Sequence, residues 1–373
     1  MTTLPRRSVR VASAVAAALV VTLLGACATP SGSGGTAPAA GDQSVPLADL
    51  DLLASPRTFE GPSTALLADS SIDAVAADPA QTLPATVTSH DLAGDTQVTV
   101  TSTDRILALD MSGSIAATVF ALGLGANVVG RDVSTTFPEA ADLPLITSGG
   151  HSVNSEAVLA LRPTVLITDG TIGPTDVILQ LREAGIAVVF IDTEPSMEGV
   201  GELARQVSAA LGAAPTGEVL AASLQEKIAA KTAEIAGIAP SAPGDKLRIL
   251  FLYLRGTAGI YYLFGEESGA DELITALGGI DVAGEIGWSG MKPMTDEALV
   301  AANPDLILVM TNGIESAGGV GGLLDTKPAI GLTLAGEHRR FVDMADGEIL
   351  SFGPRTPEVL DALARAIYAP AAG

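Results

Sequence analysis

Glu156-Ala157-Val158-Leu159-Ala160-Leu161-Arg162-Pro163, running into Thr164-Val165-Leu166-Ile167, returns as Glu297-Ala298-Leu299-Val300-Ala301-Ala302-Asn303-Pro304 ahead of Asp305-Leu306-Ile307-Leu308-Val309. Both copies keep the same Glu-to-Pro spacing. Each reads as a short helix stopped before proline and followed by a buried strand. Upstream, Leu122-Gly123 through Val129-Gly130 is echoed by Leu277-Gly278 through Ala283-Gly284. Self-similarity at equivalent places marks two like halves; the alternative is two unrelated helix starts in an alanine-rich chain. Working outward, Arg105–Leu109 precedes a helix from about Ser114, and Asn127–Gly130 and Ala187–Ile191 continue the strand series. A second series opens at Leu247–Tyr253. Short apolar strands alternating with helix-length segments predict mainly parallel sheets covered on both faces. Between the two series, the amphipathic stretch Thr216–Ala236 carries Lys227 and Lys231 on one helical face and predicts a single long helix joining two α/β lobes.

The N-terminus has a different character. Arg6, Arg7 and Arg10 precede an apolar run from Val11 to Leu24, which ends in Leu24-Gly25-Ala26-Cys27. A basic start, a short apolar stretch and small residues at its end describe a secretory signal, too short for a stable membrane span. Cys27 is the single cysteine of 373 residues. Its setting resembles the lipobox of bacterial lipoproteins, in which the cysteine is lipidated; a buried structural cysteine is the alternative. Ser31–Ala40, built from Ser, Gly, Thr, Ala and Pro, cannot bury enough apolar surface to fold and reads as a tether. The expected organisation is a signal segment at residues 1–26, a lipidated tether and irregular arm at 27–82, an N-terminal lobe at 83–212, a linking helix at 213–240 and a C-terminal lobe at 241–373. The expected location is the outer face of the cell membrane.

The formal charge of −23 makes nucleic acid a poor partner. Gly123-Leu124-Gly125 lacks the third glycine of a dinucleotide fingerprint, no Gly-x-Ser-x-Gly elbow occurs, and only His90, His151 and His338 could act as a triad base. An exported serine hydrolase is therefore the distant alternative. No zinc-like spacing of His and carboxylates is present. These patterns give no footing for an enzyme.

Arg105-Ile-Leu-Ala-Leu, the Gly130-Arg131-Asp132 turn, Asn154-Ser155-Glu156 before the Arg-Pro-Thr-Val-Leu-Ile strand, and Lys292-Pro293-Met294-Thr295-Asp296-Glu297 together resemble the substrate-binding proteins of iron-siderophore, cobalamin and haem ABC importers. The resemblance covers nearly all of Leu83 to Tyr368. It implies a monomer of two lobes on one long helix, limited hinge motion and a ligand in the interlobe cleft. It also implies that Glu156 and Glu297 dock on a membrane permease, which works with its ATPase. From the residues alone, both glutamates open helices, where a carboxylate offsets the macrodipole by up to about 1 kcal/mol.

Tyr253 ends the first strand of the second lobe, and open α/β sheets bind ligands at the carboxyl ends of their strands. Arg255, two residues on, shares its face if the strand persists; a core tyrosine with a surface arginine is the alternative. His151 follows Gly149-Gly150 on the loop into the first repeat helix, a loop that faces the cleft in this family. A His from one lobe and a Tyr-x-Arg from the other resemble the HmuT-type haem-binding lipoproteins. That resemblance implies haem held between His151 and Tyr253, with Arg255 supporting the tyrosine oxygen. The chemistry agrees, because phenolate is a hard anionic donor for Fe(III), imidazole completes six-coordination, and a neighbouring guanidinium favours an ionised phenol. Trp288, Met291 and Met310 are candidate porphyrin contacts, with core filling as the alternative for the methionines, and Arg131 is a candidate for a propionate. Tyr261 and Tyr262, expected near the next helix, are reserve ligands. A ferric siderophore or a corrinoid is the alternative cargo on the same fold.

Because several acyl chains anchor stably where one anchors marginally, Cys27→Ala is expected to move the protein from the membrane fraction to the medium. Undiminished retention after fractionation would rule out lipidation at this residue.

Overall fold

Strands buried on both faces need helices above and below, and the chain supplies them twice. The structure is a computed structural model that describes residues 45–255, 260–265 and 268–370, without the side chains of Arg255 and Ile260. Cys27 and the tether lie outside the described residues. The arm is less irregular than its composition suggests. Its β1 (Ser63–Thr64) pairs in parallel with a strand of the C-terminal lobe, after which the chain crosses to the N-terminal lobe. There a hairpin, β2 (Ala85–Asp91) and β3 (Gly94–Val100), is held by Asp91, which accepts two 2.7 Å bonds from the Arg182 guanidinium.

The N-terminal lobe is a parallel sheet of β4 (Ile106–Leu109), β7 (Val165–Thr168) and β8 (Ala187–Phe190), with a small antiparallel pair, β5 (Thr147–Ser148) and β6 (Ser152–Val153), above it. The expected strand at Asn127–Gly130 is reduced to one bridge between Val128 and Ile106. Helices α1 (Ser114–Ala121), α2 (Ser155–Leu161), α3 (Thr175–Glu183) and α4 (Gly199–Ala210) cover this sheet. A 25-residue helix, α5 (Ala214–Ile238), leads to the second lobe. That lobe has seven strands including β1: β9 (Arg248–Arg255), β10 (Ile260–Phe264), β11 (Ile280–Asp281), β12 (Met291–Pro293), β13 (Leu306–Met310) and β14 (Phe341–Met344). Pairing is parallel from β1 through β14 and β13 to β9, then antiparallel through β10 to β12.

The repeat seen in the sequence is a structural device. Asn154 and Thr295 cap their helices by accepting the amides of Ala157 and Ala298. Arg162 and Asn303 end them in the left-handed region, with φ of 47° and 43°, just before proline. In each lobe the arginine beside the first strand reaches the freed carbonyls: Arg105 Nε donates to Leu161 O at 2.7 Å, and Arg248 Nη1 to Asn303 O at 2.8 Å.

One core cluster serves both lobes. Its members include Ile106, Val165 and Val189 of the first sheet, Leu220, Leu224 and Ile228 of α5, and Ile249, Phe251 and Leu308 of the second. Separate outer clusters lie beneath α2 and α3 and on the far face of the C-terminal sheet. On the arm, Leu47 is fully buried and Phe59 lies 4.8 Å from the guanidinium of Arg340. That cation is itself fully buried, and donates to Ser63 Oγ (2.8 Å) and to the carbonyls of Ala366 and Ile367.

Asp110, where β4 ends, organises the start of α1. Its carboxyl accepts from the amides of Ser114 (2.9 Å) and Ile115 (3.1 Å) and from the hydroxyls of Ser112 and Ser114. Burial, together with the charges of Asp169 and Asp132, pushes Asp110 up to about 7. A carboxyl raised on folding contributes stability that is fully present below its unfolded value of about 4 and is lost as pH rises through about 7. Chemical denaturation should therefore show stability declining over that interval. Asp110→Asn, which removes the titrating group, should lessen the decline, whereas an identical pH profile in both proteins would contradict this account.

Candidate functional site

The alternation of β9 decides what faces the cleft. Leu250, Leu252 and Leu254 enter the outer cluster, while Ile249 and Phe251 enter the shared core. Tyr253 is next on that inner face and only half-buried. The antiparallel partner brings Tyr262 directly opposite Tyr253, with ring centroids 6.4 Å apart at 53°. The Phe264 ring lies 5.8 Å from Tyr253 and 5.1 Å from Phe251. Contacts of this kind contribute roughly 0.5–1.5 kcal/mol beyond burial. The next strand places Met291, half exposed at 53 %, opposite Phe264. On the other side Val309 pairs with Leu252, so Met310 follows beside Tyr253 and packs against the shared core. Met310, Tyr253, Tyr262, Phe264 and Met291 thus make one aromatic and thioether face.

In the N-terminal lobe, loops stand at the carboxyl ends of β4, β7 and β8. Met111 is half exposed there, its amide donating to Thr171 Oγ1 at 2.9 Å, and the Thr171 hydroxyl in turn donates to Asp169 at 2.6 Å. A cavity of about 310 Å³ lies between Met111, Asp169, Thr193 and Glu194 of these loops and Leu350 and Phe352 of the other lobe. Beside it Gly269, at φ +77°, packs so closely that a Cβ would stand 2.4 Å from Pro195 O across the lobe boundary. Only glycine fits that contact.

His151 is exposed at the tip of the β5–β6 turn, after Gly149 and Gly150 at φ of +57° and +92°. Glu156 and Glu297 are both exposed in the first turns of their helices. Arg131 is half-buried and its Nη1 donates to Asp132 O at 3.3 Å. Arg255 continues β9, where its backbone pairs with Ile260; its side chain lies outside the described residues. Trp288 is half-buried and packs against the outer cluster, its Nε1 buried without a partner among the described residues. The tyrosine pair departs from expectation, lying on β10 and not near a helix, with Tyr261 turned to the outer face. His90 sits on the hairpin, 3.0 Å from Asp95, and His338 is half-buried near the arm, its carbonyl accepting the Gly61 amide. Among the described residues no cluster of three or more His, Cys, Asp or Glu could hold a metal ion, and no helix is long and apolar enough to cross a membrane.

The family model for periplasmic binding proteins matches residues 111–346. The crystal structure of the haem-binding protein HmuT superposes with a TM-score of 0.78 at 37 % identity, covering 85 % of this chain and 100 % of that one. HmuT has also been solved as alanine variants of a histidine, of a tyrosine, and of the arginine two positions after that tyrosine. The periplasmic haem-binding protein RhuT of Roseiflexus sp. RS-1 in apo form is 37 % identical with a TM-score of 0.65, over 72 % of this chain and 98 % of that one. The ABC transporter substrate-binding lipoprotein YvrC of Bacillus subtilis (strain 168), whose activity is uncharacterized, is 27 % identical over 251 residues, 67 % of this chain and 76 % of that one. With the family match spanning more than half its length and its two α/β lobes carried on one helix, the chain belongs to the periplasmic binding proteins, the substrate-binding components of ABC importers, and is not an enzyme.

Proposed function

We propose that the chain captures haem outside the cell and delivers it to an ABC permease for iron acquisition. The observation that carries this reading is the position of Tyr253: a half-buried phenol toward the carboxyl end of the first strand, set in a face of rings and thioethers. The variants chosen in HmuT, a histidine and a tyrosine-x-arginine, have the composition of His151, Tyr253 and Arg255 here. In this reading Tyr253 supplies an anionic oxygen to Fe(III) and His151, on its glycine turn, closes from the other lobe. Arg255 steadies the phenolate, Met291 and Met310 contact the macrocycle, and Arg131 meets a propionate. Trp288, half-buried beside the outer cluster, is a further candidate for contact with the macrocycle. The lipidated Cys27 holds the protein, as a monomer, at the membrane, and Glu156 and Glu297 bring it onto the permease and its ATPase.

Haemin titration of the purified protein should give a saturating ferric Soret band at one haem per chain, with features of six-coordinate iron bearing a phenolate. Tyr253→Ala should weaken binding most, His151→Ala should leave five-coordinate or water-ligated iron, and Arg255→Ala should make the tyrosine ligand more sensitive to acid. Unsaturable absorbance, or a spectrum indifferent to both Tyr253→Ala and His151→Ala, would turn the assignment toward a ferric siderophore or a corrinoid.

Replacing Glu156 and Glu297 together by alanine should leave haem binding and melting temperature nearly unchanged, since both are exposed, and stop uptake in cells. Loss of haem binding by the purified double variant would place them in the pocket instead.

A further inference from the structure

We propose that Tyr262 is a second iron-binding phenol of the cleft, able to ligate haem in place of Tyr253; the inference rests on the haem reading above. The chain has four tyrosines, and two are already committed elsewhere. Tyr368 is buried and donates its hydroxyl to Leu277 O at 2.6 Å. Tyr261 is buried on the outer face, its hydroxyl donating to Asp296 at 2.5 Å, with the Lys327 ammonium 5.4 Å from its ring. Burial and the Asp296 carboxylate hold that phenol well above its usual range, so it is a poor source of phenolate. Tyr262 differs on each count. Successive residues of a strand point to opposite faces, so Tyr262 shares the inner face with Tyr253, directly across the ladder, and is half-buried like it.

Moving the iron from Tyr253 to Tyr262 is a displacement of one strand spacing, about 4.8 Å. The sheet continues in that direction to the edge strand β12, where Pro293 stands opposite Tyr262, and Phe264 and Met291 pair with each other one row along the same face. Apolar contact is non-directional, so a haem sliding along this face exchanges one set of ring and thioether contacts for a similar one. The step is a ligand exchange: the bond from iron to the Tyr253 oxygen breaks and the released phenolate takes up a proton from solvent, while the Tyr262 hydroxyl gives its proton to solvent and its oxygen binds iron, which stays ferric throughout. Because Tyr262 stands nearer the open edge of the sheet, the exchange also gives cargo a ligated position on its way in and out.

Resonance Raman spectra of the haemin complex, excited in the phenolate-to-iron charge-transfer band, test this in wild type, Tyr253→Phe and Tyr253→Phe/Tyr262→Phe. Phenylalanine keeps each ring contact, and far-UV circular dichroism with melting curves checks that the variants fold; Tyr253→Leu/Tyr262→Leu replaces the double variant if it does not. Phenolate bands that persist in Tyr253→Phe and vanish in the double variant are the expected result. Their loss already in Tyr253→Phe, or their survival in the double variant, overturns the role of Tyr262 while leaving the wild-type signature and the haem reading intact. A wild-type complex without phenolate bands defeats both.

Discussion

Continuity of the hydrophobic core through α5 is the constraint on which the cleft depends. Leu220, Leu224 and Ile228 recur at helical spacing and are buried together with Ile106 and Val165 from one lobe and Ile249 and Phe251 from the other. Burying each such side chain contributes roughly 1.5–3 kcal/mol, so a motion that pulled the lobes off the helix would expose several at once. Relative movement is confined to arrangements that keep this seam closed. The cleft begins where the seam stops, and on β9 that point lies between Phe251, fully buried, and Tyr253, half-buried two residues later.

The two lobes share a plan and diverge at the carboxyl ends of their strands. Capping side chains, left-handed helix ends before proline and the arginines that reach those ends are duplicated almost residue for residue. Beyond them the C-terminal lobe adds an antiparallel ladder, so its wall is a rigid sheet of rings. The N-terminal lobe ends in loops built on Asp110, Asp132 and Asp169, and its histidine rides on a turn whose glycines have nothing within 4 Å of where a Cβ would be. One wall is therefore built on a hydrogen-bonded ladder and the other on loops.

Much of this could be read from the chain, for definite physical reasons. The helix–proline–strand repeat is local, and local signals survive in sequence; the inner face of Tyr253 follows from the period of two in an eight-residue strand. Partnership between strands is not local. Tyr262 and Phe264 belong to the cleft face because β10 turns back antiparallel in a register that puts Tyr262 on Tyr253, and nothing in Ile260–Phe264 announces that register. An alternation of Ile260, Tyr262 and Phe264 was the available clue, once the segment is taken as a strand. Trp288 shows the same limit, since an isolated tryptophan in a glycine-rich loop has no periodicity to say which face it packs on. The arm was silent because a two-residue strand leaves no pattern at all.

The arm's route has a mechanical consequence. Tension entering the chain ahead of Val45 reaches the C-terminal lobe first, at Leu47 against α5, at Phe59 and Ser63 around the buried Arg340, and at the parallel pairing of β1 with β14. The crossing to the N-terminal lobe comes only afterwards, where the Val75 amide meets Ala121 O and the Thr82 amide meets Gly212 O. A pull on the chain ahead of Val45 thus meets the C-terminal lobe's sheet, at the β1–β14 pairing, before it reaches the crossing to the N-terminal lobe.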